Sequence, residues 1–248
     1  MQNVKIYKRN KEMRCIMNLE ILYKSKNAIV IYKPPLMPSQ SDTSGDKDAL
    51  TLTSDILKAM GEREELYLIN RLDRVVGGLM IFARNKKTAK LLSEKLTSEE
   101  FIKEYFAVVD GQACEGEMID WIIKDQATNK AVIVNENNTD AKKAILDSQV
   151  IDVVEHKKKL KSLVNVELKT GRFHQIRAQF SHRGTPLTGD KKYGSKDFMT
   201  RQPSLFAYHI LAAIEDEIID VYRLPNHEKY PWNLFSADKY IEKTRKNV

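Results

Sequence analysis

Asp73 stands between Arg71 and Arg74 in "NRLDRVVGGL", a stretch joining two apolar runs, Leu66–Ile69 and Leu79–Arg84. An acid in a turn ordinarily serves the backbone, because its carboxylate accepts from nearby amides and tolerates unusual dihedrals. Two neighbouring guanidiniums change that expectation. They favour the ionised form, so Asp73 is expected below the usual carboxylate range, fit to act as nucleophile or base and unfit to donate a proton at neutral pH. Gly77 and Gly78 follow directly. Lacking Cβ atoms, they admit close approach by another backbone or a substrate, or they serve a bulge at the start of the next strand.

A second dense stretch, Leu168–Gly194, reads "LKTGRFHQIRAQFSHRGTPLTGDKKYG". Gly171 lets a strand turn sharply into a helix whose first turns carry Arg172, His174, Gln175 and Arg177. Such a start suits a phosphate or carboxylate, since unpaired amides and the helix dipole reinforce the side-chain donors. Taken singly, Arg172 reads as a solvated charge, His174 as a cap or core histidine, and "TPLTGDKKYG" as a surface turn.

These residues need a scaffold, and the hydrophobic pattern outlines one. "AIVIYK" (Ala28 to Lys33) is a β-branched run stopped by Pro34, Pro35 and Pro38, hence a strand ending in a rigid extended loop. Helical spacing over about Leu50 to Met60 ends at Gly61, and Asn85 offers a cap to a helix presenting Ala89, Leu92 and Leu96. Strand-like runs follow at about Lys103–Val109, Met118–Ile123, Ala131–Val134, Ala144–Val154 and Leu163–Leu168, with polar breaks between them. "FHQIRAQFSHRG" is a helix burying Phe173, Ile176 and Phe180 and ending at Gly184. Leu205–Ala212 and Ile218–Tyr222 are late strands, and Ser236–Lys246 a terminal helix. Strands without regular βαβ alternation point to an α+β fold with a large, mixed, mainly antiparallel sheet.

The 248 residues suffice for one catalytic domain. Apolar runs fall far short of the ~20 residues that cross a bilayer. Residues 1–18 are basic and polar, without the apolar middle of a secretion signal, and are expected to form a flexible arm; Met17 is an alternative start. Cys15 and Cys114 make no disulfide framework or metal-ligand spacing, which fits a reducing cytoplasm. A net charge of +7 favours a polyanionic partner.

Four ordered motifs then carry a resemblance: "IVIYKPPLMPSQ", "NRLDRVVGGL", "KEYFAVVDG" and "TGRFHQIRAQFSHRGTPLTGDKKYG", with "LFAYHI" beyond them. Together they resemble the RluA-like family of RNA pseudouridine synthases. The resemblance implies that family's fold: two packed lobes flanked by helices, with an active-site cleft across the sheet, here over residues 19–248 as a single catalytic domain. It implies no metal or cofactor, an RNA substrate of the ribosomal or transfer class, and a monomer. Only about 20 residues precede the first strand, short of the ~50 of a typical domain, so no separate N-terminal RNA-binding module is expected.

By resemblance, Asp73 attacks the target uridine so that the base detaches, turns and rejoins the sugar through C5; attack at C1′ or at the base ring both remain open. Arg177 would keep Asp73 ionised and oriented through a charge-assisted, bidentate contact. Tyr105 would stack on the uracil and help remove the C5 proton; standing alone it would read as a core aromatic. Arg71 matches the arginine that fills the gap left by the flipped nucleotide, flipping being required because a stacked base shields its reacting atoms. Arg172, Lys33 and the basic surface are expected on phosphates, with His174 and Gln175 on the substrate. Asn70 stands where the family has His, Val76–Gly77 where it has Thr-Ser, and Phe206 where it has a late His, so polar groups are lost around the catalytic loop. The competing classes are an inactive RNA-binding protein on the same fold and an Asp-dependent hydrolase or phosphotransferase. The latter requires acidic metal ligands or a Gly-rich phosphate loop, and neither is visible.

Overall fold

A computed structural model describes residues 19–96 and 98–245. The arm expected over residues 1–18 lies outside the described residues. Eleven strands form one sheet: β1 (Glu20–Lys24), β2 (Ala28–Lys33), β3 (Tyr67–Leu68), β4 (Gly77–Ala83), β5 (Phe101–Asp110), β6 (Gly116–Asp125), β7 (Lys130–Val134), β8 (Lys142–His156), β9 (Lys159–Leu168), β10 (Leu205–Ile214) and β11 (Glu217–Tyr222). The strand order is β1-β2-β4-β10-β5-β9-β8-β6-β7, with β3 added on β4 and β11 on β10. Helices are α1 (Ala49–Ala59), α2 (Lys86–Lys95), α3 (Gln175–His182) and α4 (Ala237–Arg245).

Every described pairing is antiparallel except β4 with β10. That parallel seam is only two residue pairs long, Gly77–Phe206 and Gly78–Ala207. It joins the two halves of the sheet immediately after Asp73.

β4 shows why the seam region is rigid. All its residues are buried, with Met80 and Phe82 in the core on one face and Leu79, Ile81 and Ala83 in the core on the other. A strand covered on both sides reads as a continuous apolar run rather than an alternation. α1 covers the first face through Leu52 and Leu57, and α2 the second through Leu92. Complete burial of a side chain such as Phe82 contributes roughly 2–3 kcal/mol.

Asp48 caps α1 by accepting from Thr51 N at 2.9 Å, and Asn85 caps α2 by accepting from Thr88 N at 2.8 Å. The run expected as a strand over Leu66–Ile69 pairs only at Tyr67 and Leu68. Phe173, expected in the core, is half-buried and stacked on His174.

Candidate active site

The chain between β3 and β4 turns at Asp73, whose carbonyl accepts from Val76 N at 2.9 Å. Leu72 and Val76 on either side are buried in the core and fix the loop hydrophobically. Ser39 holds it from the proline-rich segment, donating to Leu72 O at 2.7 Å and accepting from Leu72 N at 3.0 Å. Asn70, standing where the family carries His, replaces the lost order in its own way. Its side chain accepts from Ile81 N at 2.8 Å and donates to Leu79 O at 3.4 Å, tying the loop to β4.

Of the two glycines, Gly78 has the sharper requirement. Its φ is +133°, and a Cβ there would sit 2.4 Å from Ala207 O. Close backbone approach at the seam is therefore the reason for glycine, the first of the alternatives open from the sequence. A Cβ on Gly77 would come within 3.1 Å of Pro35 Cδ.

A cleft of about 690 Å³ opens over this loop, and Arg71, Asp73, Tyr105, Arg172, His174 and Arg177 all line it. Arg177 Nη1 donates to Asp73 Oδ2 at 3.1 Å. Its bidentate contact goes elsewhere, to Asp190: Nε to Oδ2 at 2.7 Å and Nη2 to Oδ1 at 2.9 Å. The expected fork onto Asp73 is thus a single hydrogen bond, because Asp190 occupies the other edge of the guanidinium. The loop read as a mere surface turn supplies Asp190, which is 1% exposed. Sequence reasoning missed this residue. Its signal was a Gly-Asp step in the same stretch as Arg177, which looks like any turn acid.

Asp73 departs from expectation in its electrostatics. Burial is the dominant influence and raises its carboxyl above the usual range; Arg177, by charge and hydrogen bond, pulls it down, and Asp190 pushes it up. The flanking arginines do not govern it. Arg74 turns away to pair with Asp46 and Asp42, and Arg71 is exposed, without an ion-pair partner among the described residues. Asp73 Oδ1 accepts no hydrogen bond from any described residue, so one oxygen is held and the other is open to the cleft.

Tyr105, on β5, is 5% exposed, and its hydroxyl has no hydrogen-bond partner among the described residues. Burial, then the Asp73 charge, pushes its hydroxyl well above the usual phenol range, so it stays a phenol rather than a standing base. His174 is the left-handed residue before α3, with φ 49°. Tyr193 Oη accepts from Ala131 N at 2.7 Å and lies 2.9 Å from His174 Nδ1. On the other side of the ring, His174 Nε2 lies 3.6 Å from Asp73 Oδ2. The ring is neutral: burial first, then Arg177, lowers it to about 3.

Two of the residues expected on the substrate are buried and bonded within the fold. Lys33 is closed to solvent, and its ammonium donates to the carbonyls of Pro34 at 3.0 Å, Met37 at 2.8 Å and Arg74 at 3.4 Å. It braces the Asp73 loop through the Arg74 carbonyl; burial lowers it to about 7 while Asp73 pulls it up. Gln175 is buried, with Oε1 accepting from Thr170 Oγ1 and Arg172 N and Nε2 donating to Ile145 O. It closes the strand-to-helix turn. Arg172 is exposed at the cleft rim, anchored by Nε to Lys143 O at 2.9 Å. Val76 and Phe206 fill the remaining departures with apolar packing.

An acid from a loop, an arginine from a helix and a tyrosine from a strand converge on one cleft, and residues 27–182 match the family described as RNA pseudouridylate synthase. The chain belongs to that family. Membership makes it an RNA pseudouridine synthase, an isomerase, on the mixed sheet described above. It is 31% identical over 188 residues to a tRNA pseudouridine synthase C of Haemophilus ducreyi, covering 72% of this chain and 75% of that protein. It is 29% identical to a ribosomal large subunit pseudouridine synthase D of Buchnera aphidicola, of which it spans 55%. The solved human RNA Pseudouridylate Synthase Domain Containing 4 shares the fold, with a TM-score of 0.69 at 22% identity, covering 86% of this chain and 91% of that one. Among the described residues, no helix is long and apolar enough to cross a membrane.

Proposed function

We propose that Asp73 is the nucleophile of this synthase, acting on a uridine flipped out of a structured ribosomal or transfer RNA. The observation that carries the reading is the asymmetric hold on its carboxylate: Oδ2 is fixed by Arg177 at 3.1 Å while Oδ1 faces the cleft without a partner. A carboxylate with one oxygen held and the other free is poised to attack, and the Arg177 contact orients it. Tyr105 offers a ring for the uracil to stack on. As a phenol it takes up the C5 proton only by passing its own hydrogen onward. Arg71, exposed beside Asp73 and without an ion-pair partner among the described residues, would fill the gap in the stack, and Arg172 would meet a phosphate.

The two RNA classes come from the relatives' names, and the work rests with residues 19–248 acting as one monomeric catalytic domain. Cys114 is free and exposed, which suits a reducing cytoplasm. The test is tritium release from RNA labelled at uridine C5. Wild type releases label, and Asp73→Asn falls to background. Undiminished release by that variant would remove Asp73 from the mechanism, and an inert wild type that still binds RNA would make the chain a non-catalytic RNA-binding protein. Comparing pseudouridine positions in total RNA from cells with and without the gene identifies the target.

A further inference from the structure

Tyr193 separates two spaces. Its hydroxyl meets His174 in the cleft, while its other side walls a second groove formed by β7, α3 and the turn at Lys191–Gly194. Lys130, Lys191, Lys192 and the exposed His182 line this groove, and no acid does. Among the described residues none of the three lysines has a carboxylate within ion-pair distance. Lys130 is paired in register with Asp125 across the β6–β7 ladder; the Lys192 ammonium is lowered first by burial, then by the charges of Arg177 and Lys130, while Asp190 and Asp73 pull it up. Like charges gathered this way repel, and a bound polyanion relieves them.

The rim adds a different chemistry. Phe198 is 76% exposed and Met199 51%. This exposure is built, not loose. Lys191 Nζ lies 5.0 Å from the centre of the Phe198 ring. The preceding Asp197 is tied to Lys161 at 2.7 Å and Tyr230 at 2.5 Å, and its other oxygen accepts from Met199 N at 2.8 Å. Lys157 Nζ reaches Met199 Sδ at 3.3 Å.

Lysines with no ion-paired carboxylate among the described residues, along a groove with an exposed aromatic ring at its edge, match single-stranded nucleic acid, in which phosphates meet cations and unstacked bases meet rings. An acidic peptide would use the lysines but has no base for the ring. We propose that the groove of Lys130, Lys191 and Lys192, with Phe198 at its rim, is a second RNA-binding surface. It receives the strand flanking the target uridine, its phosphates on the lysines and one of its bases on Phe198. This rests on the RNA-modifying reading of the adjoining cleft, since Tyr193 makes the two spaces neighbours.

The test is fluorescence anisotropy in an Asp73→Asn background with two labelled probes: a stem-loop RNA with uridines in its loop, and a short uridine-centred single strand that fills only the cleft. Lys130→Gln with Lys191→Gln should weaken the stem-loop and make its log–log salt dependence shallower by about 0.7 per lysine. Phe198→Ala should weaken the stem-loop by at least about fivefold. Both variants should melt like the parent and bind the short strand as it does. Stem-loop affinities within twofold of the parent, or an equal loss on the short strand, would overturn the proposal. Tritium release by wild type is read separately. If it fails while stem-loop affinity still depends on these residues, the catalytic reading falls and the surface stands.

Discussion

Asp73 is held at a cost that the proposed role of nucleophile explains. An acid whose folded pKa is raised above its unfolded value of 3.8 destabilises the fold at neutral pH, and the penalty fades as pH falls through the folded value toward 3.8. Asp73→Asn should therefore abolish catalysis without lowering stability, and raise it by about 1 kcal/mol near neutral pH. Urea denaturation at pH 7 and at pH 4 checks this: the gain should shrink at the lower pH, and a loss at pH 7 would contradict it. The same shift places the acid limb of the rate profile above 3.8, with activity lost as pH falls through it. Arg177→Lys is the converse case. It removes the fork onto Asp190 and strands a buried carboxylate, so it should destabilise by about 3 kcal/mol as well as abolish turnover. That Asp73, Tyr105 and Arg177 share one cleft was legible through the family resemblance of their motifs. The shift on Asp73 was not, because residues adjacent in a loop point apart: Arg74 leaves for Asp46, and burial decides instead. Asp190 was illegible for a related reason, since only its burial against Arg177 separates it from an ordinary turn acid.

At the scale of elements, the site depends on one narrow join. β4 and β10 touch through two residue pairs, and Gly78 is in one of them. Gly78→Ala would place a methyl 2.4 Å from Ala207 O in a backbone conformation with φ +133°. The backbone on both sides is fixed in the sheet, so the strain is not easily relieved, and the substitution should cost about 3 kcal/mol. Because the seam follows Asp73 by five residues, turnover should fall further than stability alone explains. Gly45→Ala is the control, with φ +72° but nothing within 4 Å of the added carbon, and should cost about 1 kcal/mol with turnover intact. Thermal melts and label release on both proteins measure the difference; equal behaviour would show that the seam carries no special constraint. Most elements were readable from apolar runs and caps, with ends displaced by a few residues. β1 was missed because "EILYK" is only five residues, half-buried without a clean apolar alternation, although Ser25–Asn27 closes a local turn that pairs it with β2. The strand order was unreadable because which edges meet is decided by long-range packing, not by local pattern.

For the whole molecule, the net charge of +7 becomes informative through its placement. Many cations are matched within the fold, such as Lys161 with Asp110 and Asp197, Arg84 with Glu62, and Arg223 with Glu20. By contrast Arg71, Arg172 and Lys124 in the cleft, and Lys130, Lys191 and Lys192 in the adjoining groove, have no carboxylate partner among the described residues. Each phosphate neutralised by such a cation releases counterion at about 0.7 per contact on a single strand, so six contacts give a log–log slope against salt of about −4. Affinity for a stem-loop RNA should then drop by about two orders of magnitude between 0.05 and 0.2 M KCl. Arg71→Gln should reduce the slope by about 0.7. Lys58→Gln, which removes a cation already paired with Glu64 on the exposed side of α1, should leave it unchanged. Anisotropy titrations across the salt series decide between a concentrated and a diffuse field. If the two substitutions change the slope equally, the excess charge acts only through the total, and the path from cleft to groove has no privileged role in holding RNA.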